Sequence, residues 1–248
     1  MIIISNLCKR FGPKEVLRGI NLKIYDGESL VILGPSGCGK SVLLKHIIGL
    51  LKPDEGQVLI DGEDITKFDQ KRLDALRMRM GMLFQSAALF DSLTVEENIA
   101  FGLRKHTNLS DLAIHHIVSE KLEMVGLPGA NHLMPSELSG GMRKRVGLAR
   151  AIAMEPEIIL YDEPTTGLDP IMTCAIDELH LSLKERLGVT SIVVTHDLNS
   201  AYRIGDRLAL HYGGRIVAIG TKDEIINSPD PLVQQFIRGE AKGPMTLL

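Results

Sequence analysis

The octapeptide Gly34-Pro35-Ser36-Gly37-Cys38-Gly39-Lys40-Ser41 has the spacing G-x-x-x-x-G-K-S. Its glycines let successive backbone N–H groups turn toward one point, which is what a phosphate needs. The helix expected after it adds a partial positive end, Lys40 reaches the β- and γ-phosphates, and Ser41 ligates Mg²⁺. A serine nucleophile elbow at Ser36 would need glycine at position 38, where Cys38 stands. The reading is therefore a nucleotide phosphate site. Such a site needs a second metal anchor and a group that positions water. The run Ile158-Ile159-Leu160-Tyr161-Asp162-Glu163 ends in an acidic pair, and carboxylates closing a buried strand fall beside the phosphate loop of a parallel sheet. Asp162 would hold Mg²⁺, and Glu163 would orient and polarise the attacking water.

These side chains need strands and helices in alternation to carry them. Leu30–Leu33, Ile158–Tyr161 and Ser191–Thr195 are short apolar runs bounded by turn residues, the pattern of strands buried on both faces. Each leads into helical material. Lys40 to Gly49 is one such stretch, Asp169-Pro170 opens a helix that runs to about Leu187 before Gly188, and Asp197 caps another. This is a parallel sheet covered by helices on both sides. Antiparallel signals flank it, at Gln57–Ile60 before Asp61-Gly62 and at the hairpin around Gly213-Gly214. Between about Ser86 and Glu155 helix starts recur instead. Thr94-Val95-Glu96-Glu97 has capping-box spacing, and Ser110-Asp111 opens a stretch ending near Gly126. The expected layout is a single domain. Residues 1–85 and 156–225 form a nucleotide-binding α/β core, 86–155 an inserted helical subdomain, and 226–248 a C-terminal tail.

Composition sets further bounds. The 248 residues carry 28 Lys and Arg against 31 Asp and Glu, a net charge of −3. That argues against a chain held on nucleic acid or anionic lipid by bulk charge. Three cysteines, Cys8, Cys38 and Cys174, lack the paired spacing of zinc sites and suit free thiols in a reducing cytoplasm. No apolar run approaches a membrane span, so the expectation is a soluble cytoplasmic protein whose membrane work goes through partners. His115 and His116 are adjacent and point apart on a helix, which argues against a shared metal ion. The basic cluster Arg143-Lys144-Arg145 with Arg150 reads as a solvated helix face.

Four further segments follow in order: Gln85 after Gly81–Phe84, Leu138-Ser139-Gly140-Gly141-Met142 at a helix start, Gly167-Leu168-Asp169-Pro170, and His196 after a strand. With the phosphate loop and acidic pair, this set resembles the ATPase subunit of ABC transporters over nearly the whole chain. The resemblance implies a P-loop NTPase (RecA-like) α/β fold with an antiparallel β edge and an inserted α-helical subdomain. It implies that two copies pack head to tail with two ATP between them. In that arrangement Ser139, Gly140 and Gly141 reach the γ-phosphate held by the partner's phosphate loop. Gln85 contacts Mg²⁺ or water, His196 contacts the γ-phosphate, and Asp169 links the two sites. Phe11 matches the aromatic that stacks on adenine, where tyrosine is commoner, and Met142 replaces the common glutamine of the signature segment.

Met82–Val95, Leu103–Thr107, Leu133–Met142 and Asn227–Pro231 resemble the Mla-type subgroup that powers phospholipid transport. That subgroup implies a permease dimer, an Mce-domain substrate-binding protein, in some systems a STAS-domain accessory protein, and a place on the cytoplasmic face of the inner membrane. The alternatives are the ATPase of a polar-solute (amino-acid type) importer, which shares every motif, and a regulatory ATP-binding module, against which Glu163 and His196 argue. Ala87-Ala88-Leu89-Phe90 offers either a permease docking surface or local core packing. In the tail, Leu232, Val233, Phe236 and Ile237 form an apolar stripe ended by Gly239, followed by Met245, Leu247 and Leu248. Either the chain's own sheet domain covers this stripe, or the residues beyond Gly239 reach across to a second subunit or accessory protein.

Overall fold

The computed structural model describes residues 1–246. Along the chain come β1 (Ile2–Phe11), β2 (Lys14–Ile24), β3 (Ser29–Leu33), α1 (Lys40–Ile47), β4 (Glu55–Ile60) and β5 (Glu63–Asp64). Next are α2 (Gln70–Met78), β6 (Met80–Leu83), α3 (Val95–His106), α4 (Asp111–Met124), α5 (Gly140–Ile152), β7 (Ile158–Asp162) and α6 (Pro170–Leu187). The chain finishes with β8 (Thr190–Thr195), α7 (Leu198–Ile204), β9 (Arg207–Tyr212), β10 (Arg215–Gly220), α8 (Lys222–Ile226) and α9 (Pro231–Arg238). Its contacts group into two compact units, Met1–Leu73 with Ile192–Leu248, and Asp74–Ser191.

The first unit carries two kinds of sheet. β2-β1-β4-β5 is antiparallel. Strands β10, β9, β3 and β8 lie side by side in that order, β9 parallel to β3 and antiparallel to β10. All five residues of β3 are buried, as a parallel strand covered on both faces requires. The long strands β1 and β2 went unmarked in the sequence. Register shifts between Ile4 and Leu7 and again at Cys8 break their alternation, so no clean period of two survives. The hairpin at Gly213-Gly214 forms as its glycines require, with both φ angles positive.

In the second unit β6 pairs in parallel with β7, Met80 opposite Ile158 and Leu83 opposite Tyr161. Helices α3, α4 and α5 pack on one another, and α5 packs on β6. That close approach needs small residues. A Cβ on Gly81 would come within 2.4 Å of the Ala151 carbonyl oxygen, and one on Gly147 within 2.9 Å of Leu83. Caps fix the helix ends where the sequence places them. Thr94 and Glu97 form a reciprocal capping box on α3. Asp169 accepts from the N–H groups of Ile171 and Met172, Pro170 follows, and Gly188 closes α6 in the left-handed region.

Beyond Gly239 the chain is seated on its own unit through Thr246, because Gln235 of α9 satisfies its backbone. The Gln235 Oε1 accepts from the Met245 N–H at 2.6 Å, and its Nε2 donates to the carbonyls of Glu240 and Met245 at 3.1 and 3.3 Å. The Thr246 N–H donates to the Tyr212 hydroxyl at 2.9 Å. Val233 and Met245 are buried. Leu247 and Leu248, which the sequence reading included, lie outside the described residues.

Candidate functional site

In the first unit, the loop after β3 is forced into its path by what surrounds it. A Cβ on Gly34 would come within 2.3 Å of the His211 carbonyl oxygen. Gly39 takes a φ of +108° at the N-cap of α1, with Val16 2.8 Å from where its Cβ would be. Residues Ser36 and Gly37 are exposed at the apex, whereas Lys40 is buried and Ser41 half-buried. The Lys40 Nζ donates to the carbonyls of Gly34 and Pro35 at 2.7 and 3.1 Å, so the ammonium lies over the loop it serves. Beside the loop is a cavity of about 770 Å³. The β1–β2 turn, Pro35–Cys38, the Tyr212–Gly214 hairpin and Met245-Thr246 line it.

Phe11 ends β1 with its ring 46% exposed, and the Lys9 ammonium lies 5.7 Å from the ring centroid. An exposed aromatic face on a rigid strand can stack on a base. His196 is exposed immediately after β8, and Asp197 beyond it caps α7 by accepting from the N–H groups of Asn199 and Ser200.

Sequence reasoning passed over one partner of the loop. The Nδ1 of His211 lies 3.1 Å from the Cys38 Sγ, and the ring is fully buried with no partner for its Nε2. Burial, and then the Lys40 charge, lower the imidazole pKa to about 4, so it stays neutral at physiological pH. A neutral ring has one N–H, and a buried bare lone pair is better tolerated than a buried orphan N–H. The favoured tautomer therefore donates from Nδ1 to the cysteine sulfur. Position 211 had no spacing to mark it, because its neighbour in the fold lies 173 residues away.

In the second unit, Asp162 ends β7 and is buried. Glu163 is buried too, and its φ of +49° places it in the left-handed region that side chains avoid. Its Oε2 accepts from the Thr166 hydroxyl at 3.1 Å. Strain at a carboxylate held this way is the kind of backbone cost found at working sites. Gln85 is exposed just past β6. Ser139 caps α5, its Oγ accepting from the Met142 N–H at 3.2 Å, and Ser139 and Gly140 face solvent. Gly141 has a packing reason of its own, since a Cβ there would lie 2.2 Å from the Met172 Cε. Asp169 is exposed at the start of α6, beside Ile171 at 81% exposure.

The basic cluster departs from the expected solvated face. Arg143 is exposed, but Lys144 is 5% exposed, its Nζ donating to the carbonyls of Gln85 and Glu163. Arg150 turns inward as well and donates to the carbonyls of Ala87 and Ala88 at 2.6 and 2.7 Å. Burial lowers the pKa of both side chains.

A family model described as ABC transporter matches residues 17–166. This chain belongs to the ABC transporter family. It is an ATPase of that family, with no helix among the described residues long and apolar enough to cross a membrane. This ABC ATPase is 45% identical over 99% of its length, and 93% of the relative's, to the intermembrane phospholipid transport system ATP-binding protein MlaF of Haemophilus influenzae. It is 43% identical over 98% of its length to the probable ribonucleotide transport ATP-binding protein mkl of Mycobacterium leprae, covering 70% of that protein. Among solved structures it resembles the dimeric, post-hydrolysis ATP-binding cassette MJ0796 bound to ADP and Pi. The TM-score is 0.82 at 36% identity, covering 89% of this ABC ATPase and 98% of the cassette.

Proposed function

We propose that this ABC ATPase hydrolyses Mg-ATP as a head-to-tail homodimer and so powers phospholipid transport through a separate membrane permease. The phospholipid assignment is carried by the identity to MlaF across nearly the whole chain. The dimer is supported by the exposure of Ser139, Gly140, Asp169 and Ile171, a capped helix start with an apolar neighbour facing solvent, and by the dimeric state of the cassette neighbour.

Each residue then has a task. The N–H groups of Gly34–Ser41 and the Lys40 ammonium bind the phosphates, and Phe11 stacks on the base. The Ser41 hydroxyl, the Asp162 carboxylate and the Gln85 amide oxygen are hard oxygen donors of the kind Mg²⁺ takes. When bound, Mg²⁺ neutralises charge developing on the phosphate oxygens. Glu163 accepts a hydrogen bond from water, aims its oxygen at the γ-phosphorus and takes the proton as ADP leaves. His196 and the partner copy's signature segment hold the γ-phosphate in line. A permease dimer on the inner membrane's cytoplasmic face, an Mce-domain substrate-binding protein and a STAS-domain accessory protein complete the assembly we propose.

The test has two parts. Glu163→Gln should keep ATP binding while turnover falls by roughly 10²–10⁴-fold, the weight of a general base; ordinary turnover would remove Glu163 from the mechanism. The native complex, purified and extracted for lipid, should yield stoichiometric phospholipid. Nucleotide cargo in its place would favour the transport named for the mycobacterial relative.

A further inference from the structure

We infer that Lys144 is a positioning residue for hydrolysis: one buried ammonium on the signature helix holds the backbone at Gln85 and at Glu163 in fixed relation. This rests on the assignment of Glu163 as the group that orients water. Three residues at these two places, Ala87, Ala88 and Glu163, have φ angles of +61°, +47° and +49°. Left-handed backbone at residues with a Cβ is costly and persists only where the surroundings over-determine it. Here the restraint comes from α5. Lys144 donates to the carbonyl of Gln85 and, at 3.2 Å, to that of Glu163. Six residues on along α5, Arg150 donates to the carbonyls of both alanines.

Packing makes the restraint stiff. Ala87 is fully buried, and a Cβ on Gly147 would lie 3.1 Å from the Ala87 Cβ, so α5 rests directly on the strained segment. The negative charges of Asp162 and Glu163 offset the cost of burying the ammonium, since both oppose the lowering of its pKa. A neutral side chain could satisfy a carbonyl but could not be held by those carboxylates. Lys144 thus ties together the start of the signature helix, the loop after β6 and the residue after β7. When the signature end of α5 is loaded by a γ-phosphate, the same rigid helix sets Glu163 against the water.

The test uses the full-length protein in the complex with which it purifies, comparing Lys144→Met, which keeps the apolar stem, with Lys144→Arg. Losing the tether should misplace Glu163 by a fraction of an ångström to an ångström, and so lower kcat roughly 10- to 100-fold. The ATP KM should stay within about twofold, because the phosphate loop is untouched, and Lys144→Arg should recover most of kcat. A kcat for Lys144→Met within about twofold of the parent would overturn the inference. So would a rise in KM matching the fall in kcat, with no recovery by arginine. If Lys144→Met does not fold, Lys144→Gln is read by the same kcat and KM criteria. Glu163→Gln is run alongside. If it turns over normally the reading of Glu163 has failed, whereas a dead Glu163→Gln with an unimpaired Lys144→Met sinks only the tether.

Discussion

His211 shows what a single buried side chain contributes. It is neutral in the folded chain because burial and Lys40 hold its pKa near 4, against 6.5 in the open. Between those values the unfolded chain binds a proton that the folded chain does not. Stability is therefore fully present above about pH 6.5 and is lost as pH falls toward about 4, by on the order of 3 kcal/mol. His46 adds a loss of the same sign, its pKa being lowered first by burial. Urea unfolding at about pH 7 and about pH 5 should show a smaller difference for His211→Gln than for the parent. An unchanged difference would take His211 out of the acid sensitivity. The phosphate loop residues, Asp162 and Glu163 were legible because their spacing is local and each follows an apolar strand. His211 and Lys144 were not. A basic triplet on a helix looks the same whether its middle member points to water or, as Lys144 does, to two carbonyls, and a lone histidine carries no mark of the loop it touches.

Helix ends were the most readable elements because caps are local chemistry. Asp169-Pro170, Gly188, Thr94 with Glu97, and Asp197 all act where their types indicate. Strands β1 and β2 were lost to their register shifts. The segment after β6 was undecided, and the structure divides it. Ala87 is core, but Phe90 is 43% exposed and packs against Phe101, 45% exposed, with centroids 4.8 Å apart and the rings tilted by 37°. We propose this two-ring patch, open to solvent, as the place where an apolar helix face of the permease docks. Leu89→Glu with Phe90→Glu should leave folding and nucleotide binding intact and abolish co-purification with the permease; retained co-purification would dismiss the patch. The Gln235 amide makes three of the hydrogen bonds that seat the tail. Gln235→Leu should leave the Met245 N–H unpartnered and speed its hydrogen exchange by at least about tenfold, with α5 unaffected. Equal exchange in both proteins would mean that packing of Met245, not Gln235, holds the tail.

At the scale of the whole chain, the α/β class followed from short apolar runs alternating with helical stretches, the helical middle from its recurring helix starts, and the family from the order of its motifs. Where the tail goes did not follow, because an apolar stripe says that something covers it and not what does. The chain also contains no tryptophan and only four tyrosines, which gives the exposed ring at the end of β1 a practical meaning. Phe11→Trp would place the molecule's sole indole at the position proposed to meet the base. Its emission could be excited selectively, against a dark background from the other 247 residues. Titration with ATP should quench it and shift it to the blue as the indole leaves water for the face of a purine, turning an otherwise silent ATPase into its own optical gauge of occupancy. A spectrum indifferent to nucleotide would place the base elsewhere.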